Sequence, residues 1–254
     1  MSFARGGAAL VVGGSGGLGR AVAVALARAG SPVALTYRRR PEAAREAVKE
    51  IEAAGGRAAA LEIDLASGSA VDAAVAEAAA RFGGLHTVVH AAGSKIDQPY
   101  VSEVPEESWV SVMEADANGF FRVVRASLPA LRERRGSIVF VSSAGLGRHP
   151  QGDVLSVAPK GACEALVRAV AREEGRSGVR ANSVRVGIVD AGMFHELVER
   201  GELDERYLEA ARRNIALRRF AEAREVAEVV VFLASDEASY VTGQALSVDG
   251  GYSV

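Results

Sequence analysis

Gly13-Gly14-Ser15-Gly16-Gly17-Leu18-Gly19 stands between an apolar run at residues 8–12 and a helical pattern that opens at Gly17. Seven of the fourteen residues from Gly6 to Gly19 are glycine. No other feature constrains the fold as much. Glycines at a strand-to-helix joint let the chain turn tightly, and they let backbone N–H groups and the positive end of a helix approach a pyrophosphate. A glycine-rich turn alone is a weak signal. Directly after an apolar strand, and opening a helix within a βαβ unit, it points to dinucleotide binding, with a purely structural turn as the alternative.

The rest of the chain keeps the same rhythm of short aliphatic runs and longer Ala/Glu/Arg/Leu segments with helical spacing. Strands are predicted at 8–12, 33–37, 58–63, 85–90, 137–142, 179–186 and 245–248, and helices at 17–29, 42–54, 69–82, 106–131, 154–175 and 224–234. Strand–helix alternation with right-handed crossovers gives a parallel sheet, and near-continuous apolar strands agree with burial on both faces. The expected fold class is therefore α/β: a single Rossmann-like domain over residues 1–254, a doubly wound parallel seven-stranded sheet with helices on both faces. Residues 190–217 break the rhythm and hold Met193, Phe194, Leu197, Tyr207 and Leu208 among charges. Excursions this long are often lids; a small helical insert packed on the core is the alternative.

Charge and cysteine usage narrow the partners. Thirty Lys and Arg against 32 Asp and Glu leave a net charge of -2, so no overall basic field recruits nucleic acid or an anionic membrane. The one cysteine, Cys163, excludes an internal disulfide and a Cys-rich zinc site; it fits a reducing compartment and reads as a packed thiol. The opening Met-Ser-Phe-Ala-Arg lacks the pattern of a secretion signal, and no apolar run approaches the roughly 18 residues of a membrane span. A cytoplasmic protein without membrane or nucleic-acid partners is expected. His86 and His90 lie four apart on one strand with no carboxylate or thiol at ligand spacing, so they are expected to be structural and no metal site is expected.

The spacing Gly13-x-x-x-Gly17-x-Gly19 resembles the short-chain dehydrogenase/reductase family more than the G-x-G-x-x-G of ordinary Rossmann dehydrogenases. Asp64-Leu65 follows the third strand, where the family's aspartate contacts adenine. Ala91-Ala92-Gly93 ends the fourth strand and resembles the family's Asn-Ala-Ala-Gly with His90 in place of the asparagine. Residues 136–143, 180–184 and 242–251 match later family blocks, so the resemblance covers nearly the whole chain, with 3-oxoacyl-[acyl-carrier-protein] reductases as the similar type. It implies cofactor contacts at Gly13, Ser15, Gly17, Leu18, Gly19, Arg38, Asp64, Leu65, Ala91, Ala92, Gly93, Lys160, Gly187 and Val189.

The second strand ends in Tyr37-Arg38. An acidic residue there would bond the ribose 2′-hydroxyl and repel a 2′-phosphate, whereas a guanidinium binds phosphate with two bonds. NADP(H) is the preferred cofactor and NAD(H) the alternative; Arg20 is a further candidate charge. Residues 38–40 also read as a solvated start to the next helix.

The family resemblance implies a hydride transfer assisted by a tyrosine, a lysine four residues later, a serine and an asparagine. Ser143 and Lys160 occupy the serine and lysine positions. The tyrosine position holds Ser156, in Ser156-Val-Ala-Pro-Lys160, and the asparagine position holds Asp116, three before Gly119. Asn118, two further on, is expected on another helix face. Val12, Val186 and Ala191 also replace family residues, at places where backbone groups carry the binding. Ser156 differs in kind. A tyrosine has a pKa of about 10 that a neighbouring ammonium lowers, whereas an alkyl hydroxyl ionises far less readily and reaches less far.

Three functions fit. The leading one is an NADP(H)-dependent oxidoreductase acting on a small-molecule carbonyl or secondary alcohol through an atypical proton donor. Its candidates are a water held by Ser143, Ser156 and Lys160, an Asp116 carboxyl, or His149; the alternatives are Asp116 paired with Lys160 and His149 facing solvent. The second is a protein that binds NADP(H) without turnover, as a regulatory or structural subunit. A non-redox reaction with Ser156 as a nucleophile activated by Lys160 ranks last. The resemblance also implies a homotetramer, or a homodimer, built through the long fourth and fifth helices and the last helix and strand. Residues 94–104 and 190–217 are expected to shape the substrate pocket.

Overall fold

In the computed structural model, which describes residues 1–3, 6–201 and 203–254, the aliphatic runs form seven strands. They are β1 (Ala8–Val12), β2 (Val33–Tyr37), β3 (Ala58–Glu62), β4 (Leu85–His90), β5 (Ser137–Ser143), β6 (Arg180–Val186) and β7 (Ala245–Val248). All pair in parallel, in the order β3-β2-β1-β4-β5-β6-β7. Side chains alternate across a strand, so Leu10 and Val12 join one core and Ala9 and Val11 the other. Both cores are apolar, which is why β1 is buried along its whole length and reads as an unbroken hydrophobic run.

Ten helices connect and cover these strands among the described residues. α1 (Gly17–Arg28), α2 (Pro41–Ala53) and α10 (Ala223–Ala234) bury Val22, Ala47 and Val230 on one face of the sheet. α3 (Gly68–Phe82), α5 (Gly119–Arg134) and α7 (Val154–Glu174) bury Val75, Phe120 and Val167 on the other. The chain winds from β1 outward to β3 and then crosses to β4 on the other side of β1. The crevice between the C-terminal ends of β1 and β4 is therefore the switch point where open α/β sheets take their ligands. The result is a single-domain Rossmann-like α/β fold.

Three local features depart from the sequence-based expectation. The helix expected over 106–131 is divided into α4 (Glu106–Val112), a widened π-type turn at Met113–Asn118, and α5. The Glu114 carboxylate accepts hydrogen bonds from Asn118 and Arg122, drawing the wide turn together. Bonds of this kind are not encoded in apolar periodicity. A four-residue helix, α6 (Gly145–Arg148), follows β5. Within 190–217, where only Glu202 lies outside the described residues, the chain forms α8 (Met193–Glu199) and α9 (Glu205–Arg213). Asp204 caps α9 by accepting from the Tyr207 amide at 2.7 Å, and Leu208 and Ile215 fix the segment through burial. Of the opening five residues, Ala4 and Arg5 lie outside the described ones, while Phe3 stacks on His86. No helix among the described residues is long and apolar enough to cross a membrane.

Candidate functional site

The glycine turn sits at the switch point, where its backbone lies too close to its neighbours for side chains. Gly13 has φ +81°, and a Cβ built on it would stand 2.7 Å from the Ala92 amide nitrogen. A Cβ on Gly17 would stand 2.5 Å from the Gly192 nitrogen, so residues 191–192, in the connection after β6, rest on the turn. The turn is held by its own backbone: the Gly13 N–H donates to Thr36 Oγ1 at 3.1 Å and the Gly16 N–H to the Gly13 carbonyl at 3.0 Å. Ser15 is tied to β2 through its N–H and the Thr36 carbonyl. α1 then starts with no side-chain cap, leaving the N–H groups of Gly17, Leu18 and Gly19 at the positive end of the helix. This geometry suits an anion approached by backbone alone.

Arg38 is exposed just beyond β2, and no carboxylate occupies the strand end. Arg20 does not join it. Its guanidinium is paired with Glu50 at 2.9 Å and Glu46 at 3.6 Å on α2. Arg40 is likewise paired, reaching Glu196 of α8 at 3.2 Å. Asp64 is exposed at the end of β3 and its carboxylate accepts from the Ala66 amide, while the Leu65 carbonyl accepts from Arg122. Gly187 lies against Asp249, where a Cβ would come within 2.9 Å of the Asp249 Cα, and Val189 bridges to Ala221.

From β4 the strand end Ala91-Ala92-Gly93 leads to Asp116 in the widened turn. The Asp116 carboxylate accepts from the Ser94 N–H at 3.0 Å and from the Ser94 hydroxyl at 2.7 Å. Among the described residues it forms no ion pair with Lys160. The Asp116 carbonyl faces the Cys163 thiol of α7 at 3.8 Å. Burial and the Asp116 charge push that thiol up to about 12, so it is inert packing. Asn118, two residues on, donates to Glu114 instead.

The remaining candidates gather where β5 and α7 meet. Lys160 Nζ donates to Ser156 Oγ at 3.3 Å and lies 3.5 Å from the Ser156 carbonyl, the contact that i,i+4 spacing provides. Ser143 Oγ accepts from the Gly145 N–H at 3.0 Å. Both serines and Lys160 are half-buried. His149 is exposed at the end of α6 with φ +50°. His86 and His90 are core residues: His86 bonds Ser31 and Thr87, while His90 packs edge-on to Phe120 and stacks with Phe140. Burial, reinforced by the Lys160 ammonium, lowers His90 to about 3 and keeps it neutral.

One residue of the cluster has no counterpart in the sequence-based candidates. Asp153 precedes the first residue of α7, a place where aspartate ordinarily caps the helix. Here its side chain makes no cap bond. It turns toward Gly145 and Ser156 instead, and its burial pushes the carboxyl above the usual range against the opposing Lys160 charge and the Ser156 hydrogen bond. An acidic residue three before Ser156 was the available signal, and a cap explains such a residue equally well.

A family model described as enoyl-(acyl carrier protein) reductase matches residues 12–253. The chain is 34% identical over 244 residues to the 3-oxoacyl-[acyl-carrier-protein] reductase FabG of Staphylococcus aureus, covering 96% of each chain. Among solved structures it is similar to a dehydrogenase/reductase from Sinorhizobium meliloti, with TM-score 0.90, 32% identity and coverage of 98% of this chain and 96% of that one. It is also similar to a blue fluorescent protein from a metagenomic library in complex with NADPH, with TM-score 0.88, 30% identity and coverage of 98% and 99%. With matches of this length and identity spanning the glycine turn, the switch point and the β5–α7 cluster, the chain belongs to the short-chain dehydrogenase/reductase family.

Proposed function

We propose that this protein is an NADP(H)-dependent oxidoreductase that interconverts a small-molecule carbonyl and a secondary alcohol through an atypical proton donor. The observation that carries the reading is the side-chain-free cradle at the switch point, where Gly13 lies on Ala92 and the uncapped start of α1 faces the crevice. Its residues fit a dinucleotide's pyrophosphate. Arg38, free of a carboxylate neighbour on the strand end, supplies the guanidinium for a 2′-phosphate, and the NADPH complex of a 30% identical relative agrees. Asp64, Leu65, Ala91, Ala92, Gly93, Gly187 and Val189 line the path of adenine and nicotinamide in this reading. The bound cofactor supplies or accepts hydride at the nicotinamide.

Ser156 takes the place of the family's tyrosine and Asp116 that of its asparagine. Lys160 holds the Ser156 hydroxyl and binds the nicotinamide ribose, and Ser143 orients the substrate oxygen. α8 and α9 act as a lid over the pocket, tied by Glu196 to Arg40. Exposed Trp109 and Val110 on α4, Phe121 on α5 and Leu246 on β7 are suited to contacts between copies in a homotetramer. The buried thiol fits a cytoplasmic setting.

A second reading, cofactor binding without turnover, is favoured by the hydroxyl in place of a phenol at 156. One set of measurements separates them: titration with NADPH and NADH, and reduction of a ketone panel by wild type, Ser156→Tyr and Lys160→Ala. NADPH is expected to bind about tenfold or more tighter than NADH. Wild type is expected to turn over, Ser156→Tyr to be faster and Lys160→Ala slower. Binding without any turnover by wild type favours the second reading, and absence of NADPH binding overturns both.

A further inference from the structure

The group that replaces a phenol at 156 has to supply a proton and has to be tied to the residues already placed there. Asp153 meets both conditions. Its Oδ2 lies 2.7 Å from the point where a Gly145 Cβ would stand, and Ser143 Oγ lies 3.1 Å from the same point. Glycine at 145 is what leaves room for both oxygens. Ser156 stands one helical turn after Asp153, where its hydroxyl favours the ionised form of the Asp153 carboxyl, and its Oγ accepts from Lys160 Nζ at 3.3 Å. Carboxyl, hydroxyl and ammonium thus lie together along the first turns of α7. The carbonyl of Asp153 meanwhile accepts from the N–H groups of Ser156 and Val157 at 3.0 and 2.9 Å, so these two are satisfied without the side chain.

We propose that Asp153, acting through the Ser156 hydroxyl, is the proton source for the substrate oxygen. The inference rests on the oxidoreductase reading. As the carbonyl carbon receives hydride from the reduced nicotinamide, its oxygen takes the Ser156 proton. Ser156 is restored by the Asp153 carboxyl proton, and the Asp153 carboxylate regains a proton from solvent. The carbonyl gains one hydride and one proton and becomes an alcohol, while the cofactor is oxidised; alcohol oxidation runs the steps in reverse. Ser156 touches the reacting oxygen, and Asp153 is a positioning residue that also holds the proton.

Other charged and titratable groups face this carboxyl. Lys160 favours its ionised form, and burial favours its neutral form more strongly. From α9, Tyr207 is raised by its own burial and by the Asp153 charge. Tyr252, near the C-terminus and 4.9 Å under the Arg148 guanidinium of α6, is raised by burial and feels the same charge. These phenols stay protonated and leave the carboxyl as the group that changes state.

Two measurements test the relay. In Asp153→Asn, which keeps the side-chain shape, kcat for ketone reduction is expected to fall about 100-fold. KM and NADPH affinity should change little, and the limb of the pH profile set by Asp153 should disappear. In cofactor-free protein labelled with carboxyl-13C aspartate, the resonance missing from Asp153→Asn should titrate above the ordinary aspartate range and shift in Ser156→Ala. A wild type that turns over while Asp153→Asn keeps its kcat and pH profile overturns the relay and leaves the oxidoreductase reading standing. An Asp153 resonance that titrates as an ordinary aspartate also overturns the relay. A wild type that binds NADPH but reduces no ketone overturns the oxidoreductase reading, and the relay with it.

Discussion

His90 packs against the rings of Phe120 and Phe140, which also touch each other, with Nδ1 buried and unpartnered. Protonating it would place an unsolvated cation beside Lys160, which is why its pKa falls to about 3. The unfolded chain carries an ordinary histidine of pKa about 6.5. Between these values the unfolded state binds more protons, so stability falls as the pH is lowered through this window and the loss is complete below about pH 3. From about pH 7 to about pH 5 the expected contribution to this loss is about 2 kcal/mol. Urea unfolding of wild type and His90→Asn at both pH values checks it: the variant should lose less stability on acidification, and equal losses would show that His90 accepts a proton in the fold. Single residues were legible in the sequence where spacing alone sets the contact. Lys160 meets Ser156 because four residues make one helical turn. Asp153 was not legible, because a helix-starting aspartate normally spends its carboxylate on the helix, and only the position of Gly145 shows that this one does not.

Strands and helices were legible to within a residue or two wherever burial is periodic. β1, β2, β4 and β7 occupy their expected ranges because aliphatic runs in a two-faced sheet admit little else. The widened turn before α5 was not legible, since Glu114, Asn118 and Arg122 form it through side-chain bonds. The segment between β6 and α10 showed its length and apolar residues in the sequence, but not its seat on the glycine turn. That seat makes Gly17 a joint between two elements. In Gly17→Ala a Cβ would stand 2.5 Å from the Gly192 nitrogen and 2.7 Å from its Cα, and backbone cannot yield as a flexible side chain would. The expected cost is about 1–3 kcal/mol of stability, read by urea unfolding, with NADPH affinity weakened about tenfold or more in titration. Unchanged affinity would mean that 190–192 and the turn are not held together in the cofactor complex.

The seven parallel strands place the glycine turn, the Asp116 turn and the Ser143–Ser156–Lys160 cluster along the C-terminal edge of one sheet. The switch point between β1 and β4 concentrates ligand chemistry there whatever the substrate. The doubly wound parallel sheet and the cofactor turn after β1 followed from alternation and the glycine spacing, whereas the strand order comes from the structure. The packing of residues 190–201 and 203–217, the pairing of Arg20 with α2 and the partner of Asp116 depend on contacts between distant segments, which periodicity does not carry. What the whole assembly has to do without a phenol at 156 is move hydride. NADPH deuterated at the transferable C4 position, incubated with wild type and a ketone panel, reads that step in the product. Deuterium on the carbinol carbon of at least one alcohol is the expected result. Saturating NADPH binding with no deuterium in any product would show that the pocket holds the cofactor without using it.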